Sequence, residues 1–123
     1  MNILLVDDEV AILDVLIQLL EIDYPEATVY TAENGQQALG IERNIDLDII
    51  ITDYKMPIMN GIEMIEQIKD SGRNKDTKII FISGYIPDLK DASSQNDWDD
   101  IILLDKVEGI LKVTNYIKIL LNK

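Results

Sequence analysis

The chain has 123 residues, 47% of them apolar, and contains no cysteine and no histidine. That is the size of one ordinary domain, and the missing residue types exclude disulfides, thiolate and imidazole metal sites, and histidine-based acid–base catalysis. Acidic residues outnumber basic ones 23 to 11, for a formal charge of −12. A surface of that sign repels nucleic acid and anionic membranes, and any metal it holds must be a hard cation bound by oxygen.

The N-terminus, MNILLVDDE, has no basic region and only a short apolar run before its acids, so it is not a signal peptide. No apolar stretch reaches membrane-spanning length. We expect a cytoplasmic protein with no membrane contact and no direct nucleic-acid binding. Met1, directly before the first apolar run, is expected to be a natural start.

The first run, Asn2–Val6, is too short for a helix and is ended by acids, which predicts a buried strand. Ile12, Leu13, Leu16, Leu19 and Leu20 then share one helical face, and Tyr24-Pro25 stops that helix. Ala27–Thr31 is rich in β-branched residues and predicts a second strand. Asn34–Arg43 reads as a weaker helix with Ala38, Leu39 and Ile41 inward. Asp48–Thr52 is apolar on both faces, as in a parallel sheet covered on both sides.

A loop with Met56-Pro57 follows. Asn60 and Glu63 have capping-box spacing and open a helix with Ile62, Ile65 and Ile68 inside. Met56, Met59 and Met64 read as core filler. Lys78–Ile82 is a fourth strand and Ile101–Leu104 a fifth. Between them, 86–100 carries Pro87, Ser93, Ser94, Asn96 and five aspartates; Ile86, Leu89 and Ala92 allow a short helix there, expected to be the most mobile part. The last helix places Ile110, Val113, Ile117, Leu120 and Leu121 at helical spacing. Five strands and five helices in strict alternation predict one α/β domain over 1–123, with a parallel sheet and helices on both faces.

Such sheets bind ligands outside the carboxyl ends of their strands. Asp7, Asp8 and Glu9 follow the first strand, Asp53 the third, Ser83-Gly84 the fourth, and Asp105-Lys106 the fifth. Each has a plainer reading: Asp8 as a helix cap, Asp53 or Ser83-Gly84 as turn chemistry, Lys106 as a solvated charge. Those readings do not explain why every group lands on one rim. Crowded carboxylates repel each other, and Mg²⁺ is the usual relief. A carboxylate beside Mg²⁺ can act as a nucleophile toward a phosphoryl group, with a lysine and a hydroxyl stabilising the transferred oxygens.

VDDE at 6–9, ITDYKMPIMNG at 51–61, FISGY at 81–85 and LLDKV at 103–107 resemble, in order and spacing, the marks of bacterial two-component response-regulator receiver domains. The resemblance covers the whole chain. It implies a five-stranded sheet of order 2-1-3-4-5, the flavodoxin-like order. It implies that Asp53 accepts the phosphoryl group, that Asp8 ligates Mg²⁺ directly and Asp7 through water, and that Lys55 offers its backbone carbonyl to the metal. Ser83 matches the switch hydroxyl and Lys106 the lysine paired with the phosphoryl group. The implied partners are a histidine kinase or histidine phosphotransfer protein as donor and a protein target downstream. The implied role is that of a signalling acceptor and not an enzyme. The alternative is a pseudo-receiver, an interaction module that works without phosphorylation.

Three positions depart from the family pattern. Val107 stands where a proline with a cis bond is usual; a cis non-proline bond costs about 2.5–4 kcal/mol, so Lys106–Val107 is expected to be trans. Leu103 stands where an aromatic often swings inward with the switch hydroxyl, and it has no ring to swing. Asn60 stands where aspartate is common, which bears on the helix cap alone.

Overall fold

The computed structural model describes residues 1–84, 86–87, 101–107 and 109–122. Its five strands are β1 (Asn2–Val6), β2 (Thr28–Ala32), β3 (Ile49–Asp53), β4 (Lys78–Ser83) and β5 (Ile101–Asp105). All neighbouring pairs are parallel, as the alternation of elements predicts, and the order is β2-β1-β3-β4-β5, as the family resemblance implies. The helices are α1 (Val10–Asp23), α2 (Gly35–Glu42), α3 (Gly61–Ser71) and α4 (Val113–Leu121), the last preceded by a 3₁₀ turn at Ile110–Lys112. The described residues thus hold four α-helices where the sequence reading has five. The fifth, and the mobility expected of 86–100, fall on a stretch that lies mostly outside the described residues.

Strand alternation divides the core into two layers. Ile3, Leu5, Ile49, Ile51, Ile80 and Ile82 point to one face, where Leu13, Leu16 and Leu20 of α1 and Val113, Ile117 and Leu120 of α4 cover them. Leu4, Val6, Ile50, Ile79 and Phe81 point to the other, under Ala38 of α2 and Ile62, Ile65 and Ile68 of α3. Every residue of β3 is buried, as befits the central strand. Met64 is fully buried, and Met56 and Met59 are half-buried against the second layer.

Two inward assignments shift. Leu121 is 43% exposed because it lies one helical step, about 100°, beyond the buried Leu120. In α2 the buried members beside Ala38 are Gly35 and Glu42, while Leu39 and Ile41 are half-buried. Glu42 is tolerated inside because Asn74 Nδ2 donates to its carboxylate and its backbone oxygen, both at 3.2 Å. Asn60 caps α3 as its spacing predicts, with Glu63 N donating to Asn60 Oδ1 at 2.8 Å and Glu63 reaching back to Asn60 N. No described peptide bond is cis, so Lys106–Val107 is trans as expected.

Candidate functional site

The carboxyl edge of the sheet is assembled by backbone contacts that leave its side chains little freedom. Asp7 N donates to Ala32 O at the end of β2, and Asp7 Oδ1 accepts from Glu9 N at 2.8 Å, closing an Asx turn that aims the acid down the sheet. Asp53 is the last residue of β3 and pairs in register with Ile82, one residue before Ser83. Ser83 ends β4 opposite Asp105. Lys106 N donates to Ser83 O at 2.8 Å, and Gly109 N to Asp105 O at 2.7 Å, so the lysine leaves β5 through a tight turn. A Cβ on Gly109 would sit 2.6 Å from that same Asp105 oxygen, which is why glycine stands there.

These turns bring the predicted residues together. Asp8, Asp53, Lys55, Ser83 and Lys106 line one open cleft of about 340 Å³ with Glu9 and Gly84. Asp7 lies beneath it, fully buried. A larger groove of about 550 Å³ lies elsewhere, between the end of α1 and α4, and holds no comparable cluster of charge. Carboxylate oxygens of Asp7, Asp8 and Asp53 lie within 4.8 Å of one another. Lys106 Nζ sits among acids, 3.1 Å from Asp53 Oδ2, 3.2 Å from Asp7 Oδ2 and 2.7 Å from Glu9 Oε1. Glu9 follows the first strand, and its local sequence assigns it no role. Its signal is tertiary, because the contact spans 97 residues.

Burial and charge oppose each other here, and burial wins for the acids. Asp7 is pushed up to about 6 by burial and by the nearby Asp53 charge, against the lowering effect of Glu9 N and Lys106. Burial likewise raises Asp53, with Asp8 adding to it and Lys106 opposing. For Lys106, burial would lower the ammonium, but Glu9, Asp53 and Asp7 together outweigh it and hold the charge in place. Asp7 Oδ2 is the one buried side-chain polar atom among the described residues that accepts no hydrogen bond, although Lys106 Nζ is in ion-pair range. A buried, unsatisfied anionic oxygen beside two further carboxylates fits a hard divalent cation. The set, all oxygen with few charges, suits Mg²⁺ better than a softer metal.

A doubly wound parallel sheet with an acidic, lysine-flanked cleft at its carboxyl edge defines a flavodoxin-like α/β protein with a carboxylate cluster at its topological edge. Residues 3–107 match the response regulator receiver domain model, and the chain belongs to that family, the receiver domains of two-component signalling. It is 38% identical over 85 residues to an uncharacterized response regulatory protein of Staphylococcus epidermidis, covering 68% of this chain and 32% of that one. It is 36% identical over 87 residues to the transcriptional regulatory protein YdfI of Bacillus subtilis, covering 71% and 39%. The match therefore spans about a third to two-fifths of those relatives. Among solved structures, the response regulator TrrA of Thermotoga maritima in complex with Mg²⁺-BeF superposes with a TM-score of 0.77 at 30% identity, covering 97% of both chains.

Proposed function

We propose that this receiver domain, extending over residues 1–123, accepts a phosphoryl group on Asp53 from a histidine kinase or histidine phosphotransfer protein, in a Mg²⁺-dependent reaction. The observation that carries this is the convergence of Asp7, Asp8 and Asp53 on one point with Lys106 Nζ 3.1 Å from Asp53 Oδ2. In the transfer, a carboxylate oxygen of Asp53 forms a bond to phosphorus. The bond from phosphorus to the donor's imidazole nitrogen breaks, and its electron pair leaves on that nitrogen. Burial raises Asp53 and so makes its carboxylate a more basic nucleophile.

Asp7, Asp8, Asp53 and the Lys55 backbone carbonyl would hold the Mg²⁺, which when bound supplies neutralising charge for the transferred oxygens. Lys106 contributes a fixed point charge, and the Ser83 hydroxyl, at the mouth of the same cleft, donates to a transferred oxygen. The added charge biases the loop after β3 between two arrangements, and a protein target reads the change. The domain is a signalling acceptor whose own chemistry is limited to gaining and losing that phosphoryl group. No described helix is long and apolar enough to cross a membrane. YdfI is named a transcriptional regulator, but for the stretch in hand the charge of −12 opposes direct contact with nucleic acid.

The test is intact mass after incubation with a small phosphodonor, with and without Mg²⁺. We expect one phosphoryl group added only with Mg²⁺ and only to protein that retains Asp53. Equal labelling of Asp53→Asn would refute the assignment, and no labelling under any condition would turn the reading to a phosphorylation-independent interaction module.

A further inference from the structure

We infer that Glu9 is a latch on Lys106: it occupies one of the lysine's hydrogen-bond donors before phosphorylation and must release it for a phosphoryl oxygen to bind. This rests on the reading of Asp53 as the acceptor. A lysine ammonium has three N–H bonds and no acceptor. In this structure Lys106 Nζ has three carboxylate partners: Glu9 Oε1 at 2.7 Å, Asp53 Oδ2 at 3.1 Å, and Asp7, through Oδ1 at 3.4 Å. A transferred oxygen arriving beside Asp53 therefore finds the ammonium fully engaged, and one partner has to yield.

Exposure decides which one yields. The Asp7 side chain is 0% exposed and Asp53 7%, while Glu9 is 61% exposed. Asp7 is pinned in its Asx turn by Glu9 N, and Asp53 itself carries the new group. Glu9 alone can swing into water at little cost, since an ion pair with one partner mostly solvated is weak. Its place on α1 supports the same conclusion. Glu9 is the residue before the first helical turn, where a side chain ordinarily caps the helix, yet its side chain makes no capping hydrogen bond. The carboxylate is turned across the cleft to Lys106 instead. It is also outside the cation cluster, which comprises Asp7, Asp8 and Asp53. Glu9 is thus a positioning residue acting through Lys106, and it slows entry of the phosphoryl group while steadying the empty site.

The test compares wild type, Glu9→Gln and Glu9→Asp, measuring the rate of Mg²⁺-dependent labelling by a small phosphodonor and the affinity for Mg²⁺-beryllofluoride by calorimetry. Glu9→Gln, which removes the charge that holds the ammonium, is expected to label roughly two- to fivefold faster and to bind beryllofluoride more tightly by a similar factor, the scale of a partly exposed ion pair. Glu9→Asp keeps the charge on a shorter arm and is expected to behave like Glu9→Gln. If wild type labels and Glu9→Gln matches it or is slower, the latch is wrong and the acceptor reading stands. If Glu9→Asp behaves like wild type, charge alone and not the contact is responsible, and the latch is again wrong. If wild type does not label at all, the acceptor reading fails and the latch with it.

Discussion

Asp7 Oδ2 lies 3.2 Å from Lys106 Nζ and still accepts no hydrogen bond, because the ammonium is aligned on Asp7 Oδ1, Asp53 and Glu9. A buried acid left half-satisfied in this way should cost stability whenever it is ionised, and the sign can be followed through its titration. Asp7 in the folded chain is raised to about 6 from an ordinary 3.8. Between those values the folded state holds a proton that the unfolded state has lost, so stability is full below pH 3.8 and falls as pH rises through 6. The metal-free protein should therefore lose up to about 3 kcal/mol from Asp7 between pH 4 and pH 7.5, and Asp53 shifts in the same direction. Asp7→Asn should flatten this slope and be more stable than wild type at pH 7.5. Urea unfolding at the two pH values, with chelator present, checks both; a mutant with the wild-type slope would contradict the assignment.

Gly61 is held against the acceptor's own backbone. Its N donates to Tyr54 O at 2.7 Å, and a Cβ there would lie 2.3 Å from Asp53 O. Gly61→Ala must push α3 away from the end of β3, and overpacking of this kind typically costs about 1–3 kcal/mol. We expect a lower unfolding midpoint together with slower labelling, because the displaced atom belongs to Asp53. Thermal unfolding and the labelling rate, measured side by side, test whether the two losses travel together.

The loop between β3 and α3 contains a strained turn. Ile58 has a φ of 75°, and Met59 N donates to Pro57 O at 2.8 Å around it. This is a γ-turn in its rarer, positive-φ form, unfavourable for a β-branched residue. Ile58 is 73% exposed, so little packing is lost on replacement. Ile58→Asn, which tolerates positive φ, should raise stability by about 1 kcal/mol; an unchanged or lower midpoint would count against strain at this position.

The cap of α3 can be tested without touching the cleft. Asn60→Ala removes the acceptor for Glu63 N and half of the capping box, and should cost about 1 kcal/mol. Asn60→Asp retains an oxygen at the positive end of the helix and should be at least as stable as wild type. Chemical denaturation of the three proteins orders them.

Much of this was legible because local signals and tertiary demands agree. The short β-branched run Ile49–Ile51, bounded by polar residues, fits a doubly covered strand, and the polar group after each strand emerges on one edge of a parallel sheet. Each strand after β1 runs one residue further than its side chains suggest, to Ala32, Asp53, Ser83 and Asp105, and β2 and β3 also begin one residue later. The Asn60–Glu63 cap lies within four residues and was readable for that reason. What stayed hidden depends on distance along the chain. Glu9 reaches a lysine 97 residues away. Glu42 is buried because Asn74, from beyond α3, supplies its hydrogen bonds. Ile58 takes a backbone conformation its own residue type disfavours, imposed by a loop pinned at Met56 and Met59 on one layer of the core. The leucine pair ending α4 looked equivalent, and only the angle of the docked helix tells Leu120 from Leu121.

If Asp53 is the acceptor, the phosphoryl group is carried by it and by no other acid of the cleft. The direct measurement is to label the Mg²⁺-loaded protein with a small phosphodonor, reduce the acyl phosphate with borohydride, and locate the altered residue by peptide sequencing in the mass spectrometer. We expect modification at residue 53 alone, with Asp7, Asp8 and Glu9 intact. Modification at one of those three acids, with Asp53 unchanged, would contradict it.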